Sequence, residues 1–226
     1  MEATILRIRD VCERDLPWVA SLLEGHSKAV VPACDEAVAA ASVVLPPDGE
    51  LVPLVVLSFD IKGSSNMNET DGAKAQIRSI VLDEIGAKAA ARGGRQLNEA
   101  GDGKEYMYLA RDESAYSLAA YAALEAIAGR TVMNCRIYDE TRYRGDISFR
   151  LLCHGGMAVY NATPTRITAA WLDAMLKKEL KRSLPNHASI TSYVWDRLPA
   201  GLRSRFTFTR RSAALNTNVY VFRGPD

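Results

Sequence analysis

Two aspartates stand where stiff backbone can aim them. Asp60 ends the run Leu54-Val55-Val56-Leu57-Ser58-Phe59-Asp60, and Ile61-Lys62 and a turn of small residues, Gly63-Ser64-Ser65, follow it. Asp102 lies between two glycines in Gly101-Asp102-Gly103. A carboxylate at a strand end is mounted on the rim of a sheet, and the N–H groups of the next turn point into the same space as a nest for an anion. Two carboxylates on one rim, with phosphate oxygens completing the shell, suit Mg2+ or Mn2+, hard ions that prefer oxygen ligands. Singly the motifs are ordinary. Gly-Asp-Gly is common hairpin chemistry, and a strand-end aspartate is usually a turn residue or a helix cap. Their conjunction, in this order and with Gly-Ser-Ser after the first, is what points to a metal and a nucleotide.

The elements that must position them follow from periodicity. The apolar, β-branched run ending at Asp60 is bounded by Pro53 and Gly63 and reads as a buried strand. Ile77, Val81, Ile85 and Ala89 make a helical stripe within 68–92 that stops at Gly93-Gly94. Segments 96–100 and 105–110 flank Gly101-Asp102-Gly103 as a hairpin, and 114–128 is a helix with Asp112 at its start and Gly129 at its end. An alternating strand over 146–153 continues into His154-Gly155-Gly156, where His154 reads as a strand-end residue. A helix over 168–183, a strand over 189–194 and a hairpin from 206–209 and 218–222 complete the chain. The order β-α-β-β-α-β predicts an α+β, ferredoxin-like sheet with helices on one face. In that topology the first strand and the hairpin can be neighbours, which would bring Asp60 and Asp102 together.

Residues 1–49 read as a helical N-terminal extension, closed by the breaker Pro46-Pro47-Asp48-Gly49, and 50–226 as the catalytic domain. Packing or dimer contact is the expected role of the extension. A net charge of +1 gives no global field to attract nucleic acid or an anionic membrane. The four cysteines have no C-x-x-C spacing, and Cys153, at the end of an apolar run, is expected to be a reduced core thiol. No signal peptide and no apolar stretch near the ~20 residues of a membrane span are present, so a cytoplasmic protein is expected. There is no G-x-S-x-G, H-E-x-x-H or P-loop, and His26, His154 and His187 are dispersed, which disfavours a hydrolase.

Phe59-Asp60-Ile61-Lys62-Gly63-Ser64-Ser65 resembles the first metal segment of class III nucleotidyl cyclases, and Gly101-Asp102-Gly103 resembles their second. Phe149 to Gly156 resembles their later L-R-V-G-I-H-x-G strand, with Leu152 at a glycine position. The resemblance covers roughly 51–226. It implies closure of a nucleoside triphosphate to a 3′,5′-cyclic monophosphate with release of pyrophosphate. It also implies two Mg2+ or Mn2+ ions held by Asp60, Asp102 and the carbonyl of Ile61, and a homodimer with active sites at the subunit interface. Phe59, Lys62, Gly63, Ser64, Ser65 and Arg150 fall on its substrate-contacting positions.

Where the family places Lys for adenine or Glu for guanine, four residues before the second metal aspartate, this chain has Asn98. An amide offers a donor and an acceptor, suited to the O4/N3 edge of uracil or the N4/N3 edge of cytosine. A second base-reading slot falls near Arg166, and the slots for ribose and transition-state charge fall near Asp173 and Lys177, with Lys178, Lys181 and Arg182 as alternatives. The core and altered pocket together resemble the pyrimidine cyclases of bacterial Pycsar antiphage systems. That resemblance implies cyclic UMP, or else cyclic CMP, as a messenger for a partner effector. An ordinary adenylate cyclase and an inactive cyclase-fold module for nucleotide binding or dimerisation are the alternatives.

Overall fold

The computed structural model describes residues 45–63, 69–162 and 165–222. Ser64, Ser65 and the helices expected over 1–44 lie outside the described residues.

One eight-stranded sheet organises these residues, in the order β2-β3-β1-β4-β6-β8-β7, with β5 paired to β4. The first four strands are β1 (Leu51–Ile61), β2 (Arg95–Ala100), β3 (Gly103–Leu109) and β4 (Phe149–Ala162). Their antiparallel 2-3-1-4 arrangement is the ferredoxin-like core that the element order predicts. Between them come α1 (Asp71–Ala91), α2 (Ser114–Ala128) and α3 (Arg130–Thr141). The Thr70 hydroxyl accepts from the Ala73 N–H at 3.3 Å and caps α1. The expected stripe of Ile77, Val81, Ile85 and Ala89 is buried.

After β4 the chain runs through β5 (Thr165–Thr168) and a short helix, α4 (Leu172–Ala174). α4 continues without a break into a π-helical turn (Met175–Glu179) and a 3₁₀ turn (Leu180–Arg182). β6 (Ala188–Thr191) returns parallel to β4. The turns α5 (Ser192–Trp195) and α6 (Ala200–Arg203) then lead to the hairpin β7 (Phe206–Ser212) and β8 (Thr217–Phe222).

Side-chain alternation splits β1 between two cores. Val55, Leu57, Phe59 and Ile61 point to one face with Tyr106 and Tyr108 of β3. Val52, Leu54 and Val56 point to the other, packing with Met107, Leu152, Ala158 and Tyr160 beneath Met175 and Leu180. That second core stops short. Farther along the same face, β1 carries Ser58 and Asp60 instead of apolar residues.

Several boundaries depart from the sequence expectations. β1 begins at Leu51 and includes Pro53, whose carbonyl accepts from Ala110 at 3.0 Å where β3 ends. The helix expected from 168 is a strand as far as Thr168, because Ile167 is buried against the second core and pairs with Tyr160. The strand expected over 189–194 turns helical at Ser192. Helix α3 was not anticipated: Gly129 ends α2 as expected, but a new helix starts at the next residue, with only Met133 and Ile137 buried along it. β4 does not end at His154. That residue is buried in mid-strand with its Nδ1 2.7 Å from the Thr191 hydroxyl, and a Cβ on Gly156 would come within 2.5 Å of the Trp171 indole nitrogen. The double glycine therefore admits an aromatic lid over a continuing strand. Cys153 is a buried free thiol, as expected. Glu50 and Gly49 hydrogen-bond to Tyr160, so the chain meets the sheet just after the breaker.

Candidate functional site

The site is built at one end of β1. In the register, Asp60 lies opposite Gly103 on the β3 side and opposite Arg150 on the β4 side. The Ile61 N–H donates to the carbonyl of Asp102 at 2.9 Å. The hairpin turn therefore closes directly against the end of β1. It can do so only because Gly103 has no side chain: a Cβ there would lie 2.6 Å from the Phe59 carbonyl oxygen. Gly101 supplies the left-handed φ of +62° that reverses the chain. Two aspartates distant in sequence thus share one rim.

Arg150 grips Asp60 with two charge-assisted hydrogen bonds, Nε to Oδ1 at 2.8 Å and Nη2 to Oδ2 at 2.6 Å. Its Nη1 donates to the carbonyl of Lys181 at 3.0 Å, which ties the end of the α4 segment to the same rim. The Asp60 carboxyl is nonetheless held above its ordinary pKa. Burial is the main cause; the Arg150 hydrogen bond and charge pull it down, and the negative charge of Asp102 pushes it up again.

Those observations bear on a divalent cation. One guanidinium does not offset the burial and the neighbouring carboxylate. Each Asp60 oxygen accepts one Arg150 hydrogen bond and keeps further lone-pair capacity. The carbonyl of Ile61 lies on the same strand edge as its N–H, toward the Asp102 turn. The donors at this rim are thus hard oxygens, two carboxylates and a carbonyl, which fits Mg2+ or Mn2+. Among the described residues no cluster of three acidic, histidine or cysteine side chains forms, so phosphate oxygens would complete the shell.

Along the same face, one step of about 7 Å up β3, Glu105 lies opposite Ser58 and Asn98. Asn98 is exposed, and its amide hydrogen-bonds the Glu105 carboxylate. Burial raises the Glu105 pKa and that hydrogen bond opposes the rise. The sequence reading missed Glu105. The signal was available: two positions beyond Gly103 in a strand must share the face of Asp60.

The other expected residues divide. Lys62 and Gly63 follow Asp60 at the exposed rim, Gly63 with φ +74°. Phe59 is corrected: alternation turns its ring to the opposite face, where it is buried and stacked 6.4 Å from Tyr106, so it is a core residue. Arg166 is exposed on β5, which touches β2, the strand of Asn98. Lys177 pairs with Asp173 at 2.8 Å on an exposed surface and is not brought to Asp60 within the chain. Of the alternatives, Lys181 is the lysine whose charge reaches Asp60.

No protein-family model matches the chain, and no curated protein sequence does either. Solved structures do match. The guanylyl cyclase Cya2 superposes with a TM-score of 0.63 at 12% identity, covering 78% of this chain and 93% of that one. The guanylate cyclase domain of RhGC from Catenaria anguillulae, in complex with GTP, gives 0.61 at 12% identity over 77% and 98%. An adenylate/guanylate cyclase/hydrolase from Silicibacter pomeroyi gives 0.56 at 22% identity over 78% and 99%. No described helix is long and apolar enough to cross a membrane. With two aspartates and an arginine gathered at the rim of its sheet, this chain has the fold of the adenylyl and guanylyl cyclase domains.

Proposed function

We propose that the chain is a nucleotidyl cyclase acting on a pyrimidine nucleoside triphosphate, UTP in preference to CTP, and that it forms the 3′,5′-cyclic monophosphate and pyrophosphate. The observation that carries this reading is the meeting of Asp60, Asp102 and Arg150 at one rim of a cyclase-type sheet. Asp60, Asp102 and the Ile61 carbonyl would hold two Mg2+ or Mn2+ ions. Bound there, divalent cations lower the pKa of a ribose hydroxyl and neutralise phosphate charge. The chain's own part is positioning and charge. Arg150 already bridges Asp60 and the α4 segment, so it can share its donors with a phosphate without leaving the rim. The 3′-oxygen attacks the α-phosphorus, its proton goes to solvent, and the bond to the pyrophosphate oxygen breaks.

Asn98, in place of Lys or Glu, supports a pyrimidine base. The Catenaria anguillulae domain holds GTP, which supports a triphosphate as substrate. The second base slot near Arg166 and the transition-state slot at Lys177 would act across a homodimer interface, which accords with the exposure of both residues. The product would serve as a messenger for an effector in antiphage defence, as in the Pycsar systems that the sequence resembles.

A second reading has one observation in its favour. Both oxygens of Asp60 are engaged by Arg150, as they would be in an inactive cyclase-fold module that keeps the aspartate as a structural anchor. Incubating the purified chain with each of the four ribonucleoside triphosphates and Mn2+, and identifying products by mass, separates the two. Cyclic UMP as the main product is expected. Cyclic AMP as the main product would make the chain an ordinary adenylate cyclase, and no cyclic product from any triphosphate would leave the inactive module.

A further inference from the structure

We propose that Glu179, held by Arg210 and Ser212 of the C-terminal hairpin, is a positioning residue: it fixes the Lys181 carbonyl that orients Arg150 at the rim. Its role in cyclisation rests on the reading of the rim as a cyclase site; the placement of Arg150 does not.

Two local irregularities create this network, one in each of the elements that meet. In the segment after α4, the Leu180 N–H donates to the carbonyl of Met175, one residue farther back than in an α-helix. The widened turn buries Met175, Glu179 and Leu180 together. In β7, Phe208 lies opposite Tyr220 and Arg210 opposite Val219, so Thr209 is an extra residue in the strand. Without that bulge, alternation would give Arg210 the face of the exposed Phe208. With it, Arg210 shares the face of the buried Val219 and pairs with Glu179. The Ser212 hydroxyl donates to the same carboxylate and accepts from the Leu215 N–H at 3.1 Å, which fixes it in the turn between β7 and β8. Burying a carboxylate completely is costly, and an apolar side chain of similar size would avoid that cost. Stability alone does not call for this network.

Its consequence lies two residues farther on. In the 3₁₀ turn the Ser183 N–H donates to the Leu180 carbonyl at 3.0 Å, and the Ser183 hydroxyl donates to the Glu179 carbonyl at 3.4 Å. The Lys181 carbonyl is turned to the rim and accepts from Arg150 Nη1 at 3.0 Å. Nε and Nη2 of the same side chain are on Asp60, so the guanidinium plane is held at three points. Of its five N–H donors, three are engaged and two remain to meet a phosphate. Without the carbonyl, the plane can turn about the Asp60 bonds and those two donors lose their aim. Asn186 also ties the segment to the sheet, exchanging hydrogen bonds with the backbone of Phe149 at 2.8 and 3.2 Å. That tie lies beyond the 3₁₀ turn and does not hold the Lys181 carbonyl.

The test uses the purified full chain. Glu179→Gln keeps the shape of the side chain and removes the charge that pairs with Arg210. With UTP and Mn2+ it should lower the rate of cyclisation at least about tenfold, the size of a hydrogen bond to a charged group. Arg150→Lys keeps a positive charge at the rim but not the guanidinium fork. In that background Glu179→Gln should lower the rate per folded molecule little further, because both act through one contact. A merely structural role would cost the same in either background, and equal losses overturn the proposal. Ser212→Ala keeps the ion pair and should give a smaller loss with the same dependence on Arg150. The Arg150 Nε–H resonance, identified by its disappearance in Arg150→Lys, gives a readout that needs neither metal nor nucleotide. Its exchange with water should be at least about tenfold faster in Glu179→Gln, by the same measure, and less so in Ser212→Ala. If Glu179→Gln does not fold, Ser212→Ala decides. Exchange unchanged in the folded variants overturns the proposal. Faster exchange in a chain that forms no cyclic product would uphold the placement of Arg150 and remove the cyclase reading.

Discussion

Two arginine–carboxylate pairs in this molecule look alike and differ in what surrounds them. At the rim, Arg150 holds Asp60, and both side chains keep some exposure, 18% and 15%. Behind the α4 segment, Arg210 of β7 holds Glu179, which is fully buried, and the Ser212 hydroxyl donates to the same carboxylate. The Asp60 pair has a second carboxylate beside it and a raised pKa. Glu179 has an arginine and a hydroxyl directed at it. The first carboxylate has a second one beside it and is reachable from solvent, as a cation site has to be. The second is sealed from solvent, and it sits on the π-helical turn, a local distortion that turns its side chain inward to the C-terminal hairpin. Pairing with arginine does not by itself distinguish a site from a strut; access to solvent and a second carboxylate do.

The largest expected effect breaks the rim pair. Asp60→Ala should reduce cyclisation by on the order of 10³-fold or more, because the lost charge stabilisation of the reacting phosphate is worth several kcal/mol. Its stability should change little, since Arg150 can turn to water and to the Lys181 carbonyl. The rate of cyclic-nucleotide formation, with urea unfolding of the same sample, checks both halves. A variant that unfolds but cyclises normally when folded would make Asp60 the strut.

Arg210→Ala should do the converse. Removing the arginine leaves Glu179 buried without its countercharge, a loss of about 3–5 kcal/mol. Urea titration measures it, and base selectivity per folded molecule should be unchanged. A loss under about 1 kcal/mol would mean that Glu179 is held by Ser212 and packing alone.

The same sealed region sets a pH limit. His154 is buried against Trp171 and Tyr193, and burial lowers its pKa to about 4, against a smaller opposing effect of Glu179. A histidine depressed in the folded state binds fewer protons there than in the unfolded chain. Stability is therefore fully present above the ordinary value of 6.5 and is lost as pH falls through the window down to about 4. The full loss from this group is about 3 kcal/mol. Unfolding free energy measured across that window should fall, and His154→Gln, which can still bond Thr191, should flatten the slope.

The sequence announced the rim far better than the strut. Asp60 and Asp102 were legible because each ends or joins a strand with its own local signal, an apolar run before one and flanking glycines around the other. The topology that joins them follows from element order. Arg150 was placed by the resemblance of Phe149 to Gly156 to the later strand of the cyclases, and the register sets it opposite Asp60. Glu179 and Arg210 carry no such mark: they lie on a lysine-rich helix and an exposed-looking hairpin, and only the π turn and the packing of β7 bring them together. Glu105 failed for a different reason. It lies within a segment read only as a strand, and the period of two that turned Phe59 into the core turned Glu105 onto the face of Asp60. Helix α3 was hidden behind a glycine that ends one helix and immediately precedes the next.

The smallest effect sharpens the rim itself. Asn98→Lys puts an ammonium opposite Glu105, where the two would form an ion pair one strand apart. The amide that would offer both a donor and an acceptor to a pyrimidine edge is gone. Asp60, Asp102 and Arg150 stay as they are. The expected result is a loss of preference for UTP over the other triphosphates of about tenfold, roughly one hydrogen bond, with the summed rate over all four falling much less. Competition between equimolar triphosphates, read by product mass, gives the ratio directly. If selectivity is unchanged while Asp60→Ala is inactive, the rim is catalytic but the base is read elsewhere, and the face between Ser58 and Asn98 is only the wall of the cleft.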